Sequence, residues 1–440
     1  MRVPESQAEI AMGFVPVVQH SAPAVVNIYA RHVVSGQASP FRGDPFFDNL
    51  FRNLRSARPR IQNSLGSGVI LSGDGLVVSN YHVVGESKDI RVVLNDRREF
   101  SARVLLSDEE SDLAVLQLDG AEALPALSLR DSDTVQVGEL VLAIGNPFGV
   151  GQTVSSGIVS GLARSGTATG SARGYFLQTD APINPGNSGG ALVDVQGRLI
   201  GINTRILSRS GGSNGIGFAI PSALVAQVLE QARAGHDVFR RPWAGITGQP
   251  VTADMAEGLG LARPGGVIIA ALHPASALAQ AGFQPGDVIT SLDDHAVHSP
   301  AEMIYRMSVA GLGRTLKITR FQDGKEDVVD LRLTRAPEVP PRGTRITGAR
   351  TALPDMTVSL INPAVIAEYG LPLSAEGVVV DNPGPAGSSV GLRRGDILLE
   401  LNGVPVENPA QAEVLLREGG RWLSLEVQRG ERRSSLRLRL

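Results

Sequence analysis

Between residues 60 and 220 the chain is a succession of short Val- and Ile-rich runs broken by Gly, Asn and Asp turns, with little helical periodicity. Closely spaced runs of strand length, without helices between them, restrict the region to an all-β barrel or sandwich. The run GSGVILSGDGLVVSNYHVV (66–84) carries a tight SGDG turn between apolar flanks and reads as a hairpin, which puts His82 at a fixed strand end. Further on, SDLAVLQL (111–118) reads as a buried strand that Asp112 opens. Turn capping is the ordinary role for such an aspartate, and orienting a histidine is the alternative.

The third feature is DAPINPGNSGGAL (180–192). Glycines at 186, 189 and 190 allow backbone angles closed to other residues, so successive N–H groups can converge beside the Ser188 hydroxyl. Acyl transfer needs that combination of a nucleophile and a hole for the oxyanion it creates. A serine hydroxyl also needs a base, usually histidine, which a carboxylate orients. Of the seven histidines, at 20, 32, 82, 236, 273, 295 and 298, only His82 closes such a strand run. GNSGG also satisfies the G-x-S-x-G pattern of α/β-hydrolases, but that fold requires the order Ser, Asp/Glu, His and strands alternating with helices. Here His82 and Asp112 both precede the serine, so that alternative fails.

The motifs carry a resemblance. Ser79-Asn80-Tyr81-His82-Val83 is similar to the Thr-Asn-x-His-Val motif of the HtrA/Deg family of trypsin-fold serine proteases, with serine in place of threonine. Asp-Leu-Ala-Val at 112–115 and Gly-Asn-Ser-Gly-Gly at 186–190 match that family unchanged, and AIGNPFG (143–149) and NGIGFAIPS (214–222) are family-like. The resemblance covers nearly the whole chain. It implies a mainly β protein: a chymotrypsin/trypsin-like double β-barrel at 1–238, a first α+β PDZ domain at 239–336, a linker at 337–344 and a second PDZ domain at 345–440. It implies Ser188 as nucleophile, His82 as base, Asp112 as its orienting carboxylate, and the N–H groups of Gly186, Asn187 and Ser188 as oxyanion hole.

Trypsin-like enzymes that cut after Lys or Arg carry an aspartate six residues before the nucleophile. Pro182 stands there, so an apolar pocket for small aliphatic residues is expected, with walls from Ile202, Asn203, Thr204, Ile216 and Phe218. Asp180 is expected to be a turn residue or loop anchor. The segment 35–64, with phenylalanines at 41, 46, 47 and 51, is either a loop that packs on another subunit or near an active site, or a disordered insertion. Glycine-rich loops at 145–151 and 207–215 could leave the oxyanion hole unassembled until a peptide binds.

The C-terminal half shows other signals. Pro221-Ser222 opens a helix whose Leu224, Val225, Val228, Leu229 and Ala232 share one face, with Gly235 as its stop. HPASALAQAGFQPGDVITSLDD (273–294) aligns with NPGPAGSSVGLRRGDILLELNG (382–403) at an offset of 109, and GGVIIAAL (265–272) and EGVVVD (376–381) precede the two copies. A unit of about 100 residues suits a duplicated domain. Each copy resembles a PDZ domain, which adds a peptide to a sheet edge and captures its terminal carboxylate on backbone N–H groups. Trp243, Ala244, Gly245 and Ile246 fall where the family carries the binding loop in the first copy; Ile346-Thr347-Gly348-Ala349 is the candidate in the second. A pure spacer or assembly role is the alternative for either copy.

Forty-one basic against forty-four acidic residues imply no general attraction to nucleic acid. GNPFGVG lacks the lysine of a phosphate-cradling loop, so no built-in ATPase is expected. With no cysteine, disulfides and Cys-based zinc sites are excluded. No metal or other cofactor is expected. No stretch approaches the roughly 20 apolar residues of a membrane span, and Pro16, Gln19, His20 and Pro23 interrupt any signal-peptide core near the start. The resemblance implies a bacterial periplasmic location and a homo-oligomer built from trimers. Its substrates would be unfolded or misfolded polypeptides, bound partly by their C-terminal peptides and cut without ATP. The rival reading is a chaperone or scaffold for unfolded chains whose protease is largely latent.

Overall fold

The computed structural model describes residues 13–34, 60–85, 87, 89–146, 151–165, 175–184, 186–206, 215–418, 422–430 and 432–439. The four phenylalanines of the 35–64 segment, and most of the 145–151 and 207–215 loops, lie outside the described residues. The chain divides into two compact units: residues 1–240 with 301–309, and residues 241–300 with 310–440.

In the first unit, β1 (Val25–Val34), β2 (Arg60–Ile70), β3 (Leu76–Ser79), β4 (Asp89–Val93), β5 (Glu99–Asp108) and β6 (Leu113–Leu118) close into a barrel of order β1-β2-β3-β6-β5-β4. A second barrel has the equivalent order β7-β8-β9-β12-β11-β10, from β7 (Leu140–Gly145), β8 (Thr153–Ser165), β9 (Tyr175–Thr179), β10 (Ala191–Asp194), β11 (Leu199–Ile206) and β12 (Gly217–Pro221). The SGDG turn makes the β2–β3 hairpin, in which Val69 faces Val78 and Ile70 faces Val77. The strand ends at Ser79, however, and His82 lies in the helical turn Tyr81–Val84, one step beyond the strand end expected from the hairpin. The Tyr81 N–H turns to the carbonyl of Asp112 (3.1 Å) and the Gly85 N–H closes the turn on Tyr81.

The helix Ser222–Arg233 buries Leu224, Val225, Val228, Leu229 and Ala232, the face its 3.6-residue spacing defines. That face joins one core cluster with Ile28, Leu113 and Leu116 of the first barrel and Ile202 and Phe218 of the second. The interior of the second barrel is separate, built on Val141, Val159, Leu177, Ile183, Leu192 and Ile200.

The second unit holds two sheets. One has order β13-β14-β15-β17-β18, with β16 on β15; its strands are β13 (Ile246–Pro250), β14 (Val267–Leu272), β15 (Val288–Leu292), β16 (His295–Ala296), β17 (Thr315–Gln322) and β18 (Lys325–Arg332). The other consists of β19 (Arg345–Ile346), β20 (Thr357–Leu360), β21 (Val378–Asn382), β22 (Ile397–Leu401), β23 (Val404–Pro405), β24 (Trp422–Arg429) and β25 (Arg432–Arg439). Its path β20-β21-β22-β24-β25, with β23 on β22, repeats the first sheet, and β19 is an addition on the β20 edge. The repeated Gly-Asp pair is explained by the aspartates. Asp287 and Asp396 are buried, accept from the N–H groups of Gln284 and Arg393, and pair with Arg320 and Arg429.

The second binding-loop candidate is corrected by this topology. Ile346 is in β19, and the strand equivalent to β13 is β20, so the counterpart loop lies just before Thr357. Residues 345–347 lie across that loop instead of forming it.

Candidate active site

Strands β3 and β6 are neighbours with Ser79 opposite Ala114, so the residues just after β3 and just before β6 emerge at the same end of the barrel. His82 and Asp112 occupy those positions. The His82 Nδ1 lies 2.8 Å and 2.9 Å from the two carboxylate oxygens of Asp112, and the His82 backbone N–H donates to Oδ1. Asp112 has φ of +56°, a left-handed value outside the preference of a non-glycine residue and worth about 1–3 kcal/mol of strain. Its surroundings hold it there: its carbonyl accepts from Tyr81 N–H and Asn80 Nδ2, and the Thr204 hydroxyl donates to Oδ2 at 2.5 Å.

Burial would push the Asp112 carboxyl up, but the charge of His82 and hydrogen bonds from His82 and Thr204 outweigh it and hold the group below the usual carboxylate range. An ionised carboxylate against Nδ1 fixes the proton on that nitrogen and leaves Nε2 to act as a base.

The glycine-rich turn comes from the other barrel. It is zipped to β11 by Gly189 N–H to Asn203 O (2.8 Å) and Asn203 N–H to Gly190 O (2.9 Å). Gly189 has φ of +81°, and a Cβ there would lie 2.1 Å from the Ser67 carbonyl oxygen, so only glycine fits. The Ser188 hydroxyl donates to the Thr204 carbonyl at 2.9 Å. Thr204 therefore touches both halves of the site, with its carbonyl on Ser188 and its hydroxyl on Asp112.

Among the described residues the Gly186 and Ser188 N–H groups have no protein partner, as oxyanion donors require. The Asn187 N–H donates to Asn184 O at 3.0 Å, closing the turn, which removes it from the expected hole. Of the expected pocket residues, Pro182 is exposed and Ile216 is half-buried, positions open to a ligand. Ile202, Asn203, Thr204 and Phe218 are wholly or almost wholly buried. Phe218 packs against Phe176, and Asn203 Nδ2 donates to the Ala191 carbonyl. Ile202 and Phe218 belong to the buried apolar core, whereas Asn203 and Thr204 are buried on β11 and hold their neighbours by hydrogen bonds, Thr204 to both Ser188 and Asp112. Asp180 accepts from the Ile158 N–H at 2.7 Å, a loop anchor. Ser67, absent from the expected set, donates its hydroxyl to the Gly186 carbonyl. Only its place in a Gly-Ser-Gly triplet could have singled it out.

The binding-loop residues of the first repeat belong to the second unit. Gly245 has φ of +60°, its carbonyl accepts from His273 N–H, and the Trp243 ring tilts against His273 at 5.3 Å. The Trp243 N–H donates to Thr334, whereas those of Ala244 and Gly245 have no partner among the described residues. Also among the described residues, no group of three His, Asp or Glu side chains could hold a metal ion, and no helix is long and apolar enough to cross a membrane.

Residues 66–202 match the trypsin-like peptidase domain family, and residues 244–333 match the PDZ domain family. The chain is 37% identical over 400 residues to the periplasmic serine endoprotease DegP of Escherichia coli (strain K12), covering 90% of this chain and 81% of that protein. It is 35% identical over 419 residues to the periplasmic pH-dependent serine endoprotease DegQ of the same strain, covering 94% and 89%. The solved HtrA-type protease AlgW with tripeptide is 37% identical, with a TM-score of 0.57 over 75% of this chain and 99% of that one. With a trypsin-like domain ahead of a PDZ domain, and likeness of this extent to full-length relatives, the chain belongs to the HtrA/Deg family of periplasmic serine endoproteases.

Proposed function

We propose that Ser188, His82 and Asp112 are the catalytic residues of this endoprotease, and that Gly186 and Ser188 supply its oxyanion donors. The observation that carries this reading is the hydrogen-bonded path from the Ser188 hydroxyl through Thr204 to Asp112 and on to His82 Nδ1. In the reaction the hydroxyl leaves the Thr204 carbonyl and attacks the scissile carbonyl carbon. His82 Nε2 takes its proton and delivers it to the leaving amine, while Asp112 stabilises the imidazolium. The two free N–H groups receive the oxyanion, where one donor is typically worth about 100- to 1000-fold in turnover. A water then hydrolyses the acyl-enzyme by the same proton route.

Pro182, exposed six residues before Ser188, and half-buried Ile216 offer no carboxylate to a cationic side chain. Cleavage after small aliphatic residues follows. Substrates are unfolded or misfolded chains in the periplasm, recruited by C-terminal peptides whose carboxylate sits on the Ala244 and Gly245 N–H groups. The working assembly is a trimer or a multiple of trimers.

Casein degradation by the Ser188→Ala chain tests the assignment. The expected loss is on the order of a millionfold with unchanged thermal unfolding, and retained activity would end the reading. In a peptide panel, preference for Lys or Arg before the cut would remove the aliphatic pocket.

A further inference from the structure

Ser67 is wholly buried in β2 between two glycines that face the first barrel's core. A Cβ on Gly66 would lie 2.6 Å from Val83, and one on Gly68 would lie 2.8 Å from Ile28. Strand alternation turns Ser67 to the opposite face, toward the second barrel. There its backbone N–H donates to the Ser188 carbonyl at 2.9 Å and its hydroxyl donates to the Gly186 carbonyl at 2.6 Å. The same hydroxyl accepts from the Asn146 N–H at 2.8 Å, and the Ser67 carbonyl accepts from Ser79 Oγ at 2.7 Å. One residue of the first barrel thus grips the carbonyls of the two residues whose N–H groups are the free donors of the site.

Gly186 is the weak point of that arrangement. Its φ is +101°, and without a Cβ its flanking peptide planes can reorient at little steric cost. A hydrogen bond on its carbonyl fixes the 186–187 peptide plane, which anchors the Cα that carries the Gly186 N–H and the start of the turn into Ser188. We infer that Ser67 is a positioning residue for the oxyanion hole: through its hydroxyl it locks Gly186 in the orientation that aims the donor pair at the developing negative charge. The inference rests on the assignment of Ser188 as nucleophile.

The test compares Ser67→Ala, Ser67→Cys and Ser188→Ala in the full chain. Measured are kcat and KM on a fluorogenic peptide, inhibition by a peptide boronate, thermal unfolding and oligomer mass. A boronate forms a tetrahedral adduct on the serine and places an oxygen in the hole, so it reads the donors and not ground-state binding. Ser67→Ala should lower kcat by roughly 10- to 100-fold, less than or comparable to deleting a donor outright, with KM within about twofold. Boronate affinity should fall in parallel with kcat/KM, and the weaker thiol donor of Ser67→Cys should give an intermediate kcat. A wild-type kcat, a loss confined to KM, or unchanged boronate affinity would overturn the inference. If Ser67→Ala does not fold, Ser67→Cys decides: reduced kcat at unchanged KM supports the role, and wild-type kcat refutes it. An active Ser188→Ala chain would sink the parent assignment, whereas an inactive one beside normal Ser67 variants would sink this inference alone.

Discussion

The two repeats of the second unit share a strand order and differ at the edge where a peptide would add. In the first, β13 ends its sheet among the described residues, and the N–H groups of Ala244 and Gly245 point to no protein partner. Counting back from the equivalent strand starts, Ile246 and Thr357, their counterparts are Asp355 and Met356. Both of those N–H groups are taken by Thr347: Asp355 donates to its carbonyl at 3.1 Å and Met356 to its hydroxyl at 2.9 Å. Upstream, Ile346 faces Thr357, Arg345 faces Val358, and Leu360 N–H donates to Arg342 O. This segment runs antiparallel to β20 and ends on the loop, the course a bound terminal peptide takes. Arg345 also pairs with Glu413 of the helix Pro409–Arg417. Duplicated folds can therefore have opposite availability, because main-chain groups already spent on a neighbour cannot recruit a ligand.

The sharpest way to break this comparison is Gly245→Val. A Cβ there would lie 2.5 Å from that of Ser276 on a backbone with φ of +60°. Titrating a C-terminal peptide into an inactive Ser188→Ala background should show affinity reduced about 10- to 100-fold, from strain of a few kcal/mol. Met356→Val should change it less than about twofold. Equal losses would mean that both repeats bind. The wild-type stoichiometry should be one peptide per chain, and two would refute the difference directly.

Thr347→Val keeps the shape but leaves the Met356 N–H and the Leu353 carbonyl without their hydroxyl partner. Unfolding of the second repeat should come about 1–3 kcal/mol sooner, and a weak second binding event should appear in calorimetry. No second event, with the same destabilisation, would show that the β19 pairing alone keeps the edge closed.

The smallest effect is expected from acid. Glu338 is hydrogen-bonded by Arg342, and its carboxyl is held down at about 2 instead of the usual 4.5. A group depressed in the folded state stabilises it fully above its unfolded value and loses that contribution as pH falls through the folded one. The grip on Arg342 should thus be intact from pH 7 to 5, and the stoichiometry should not move. A second site opening by pH 5 would point to another latch.

Where information was local, the sequence was legible. The face of the Ser222–Arg233 helix could be read residue by residue, and Gly235 after it has φ of +82°. The Gly-Asp pairs marked the duplication because each aspartate closes its own turn before reaching Arg320 or Arg429. What could not be read depended on distant partners. Thr204 looked like a pocket wall, yet its hydroxyl meets a carboxylate 92 positions away. Asn187 reads as an oxyanion donor, but a four-residue turn claims its N–H. Thr347 looked like a loop and proved to be the group that fills one. In each case composition named the right neighbourhood, and hydrogen-bond competition decided the role.

The groups proposed for chemistry are divided between the barrels, with imidazole and carboxylate from one and hydroxyl from the other. Cutting power therefore depends on the two barrels staying together, and a copy whose halves part loses it. Damage that parts the barrels would then disarm a molecule, a safeguard for intact siblings against a failing copy.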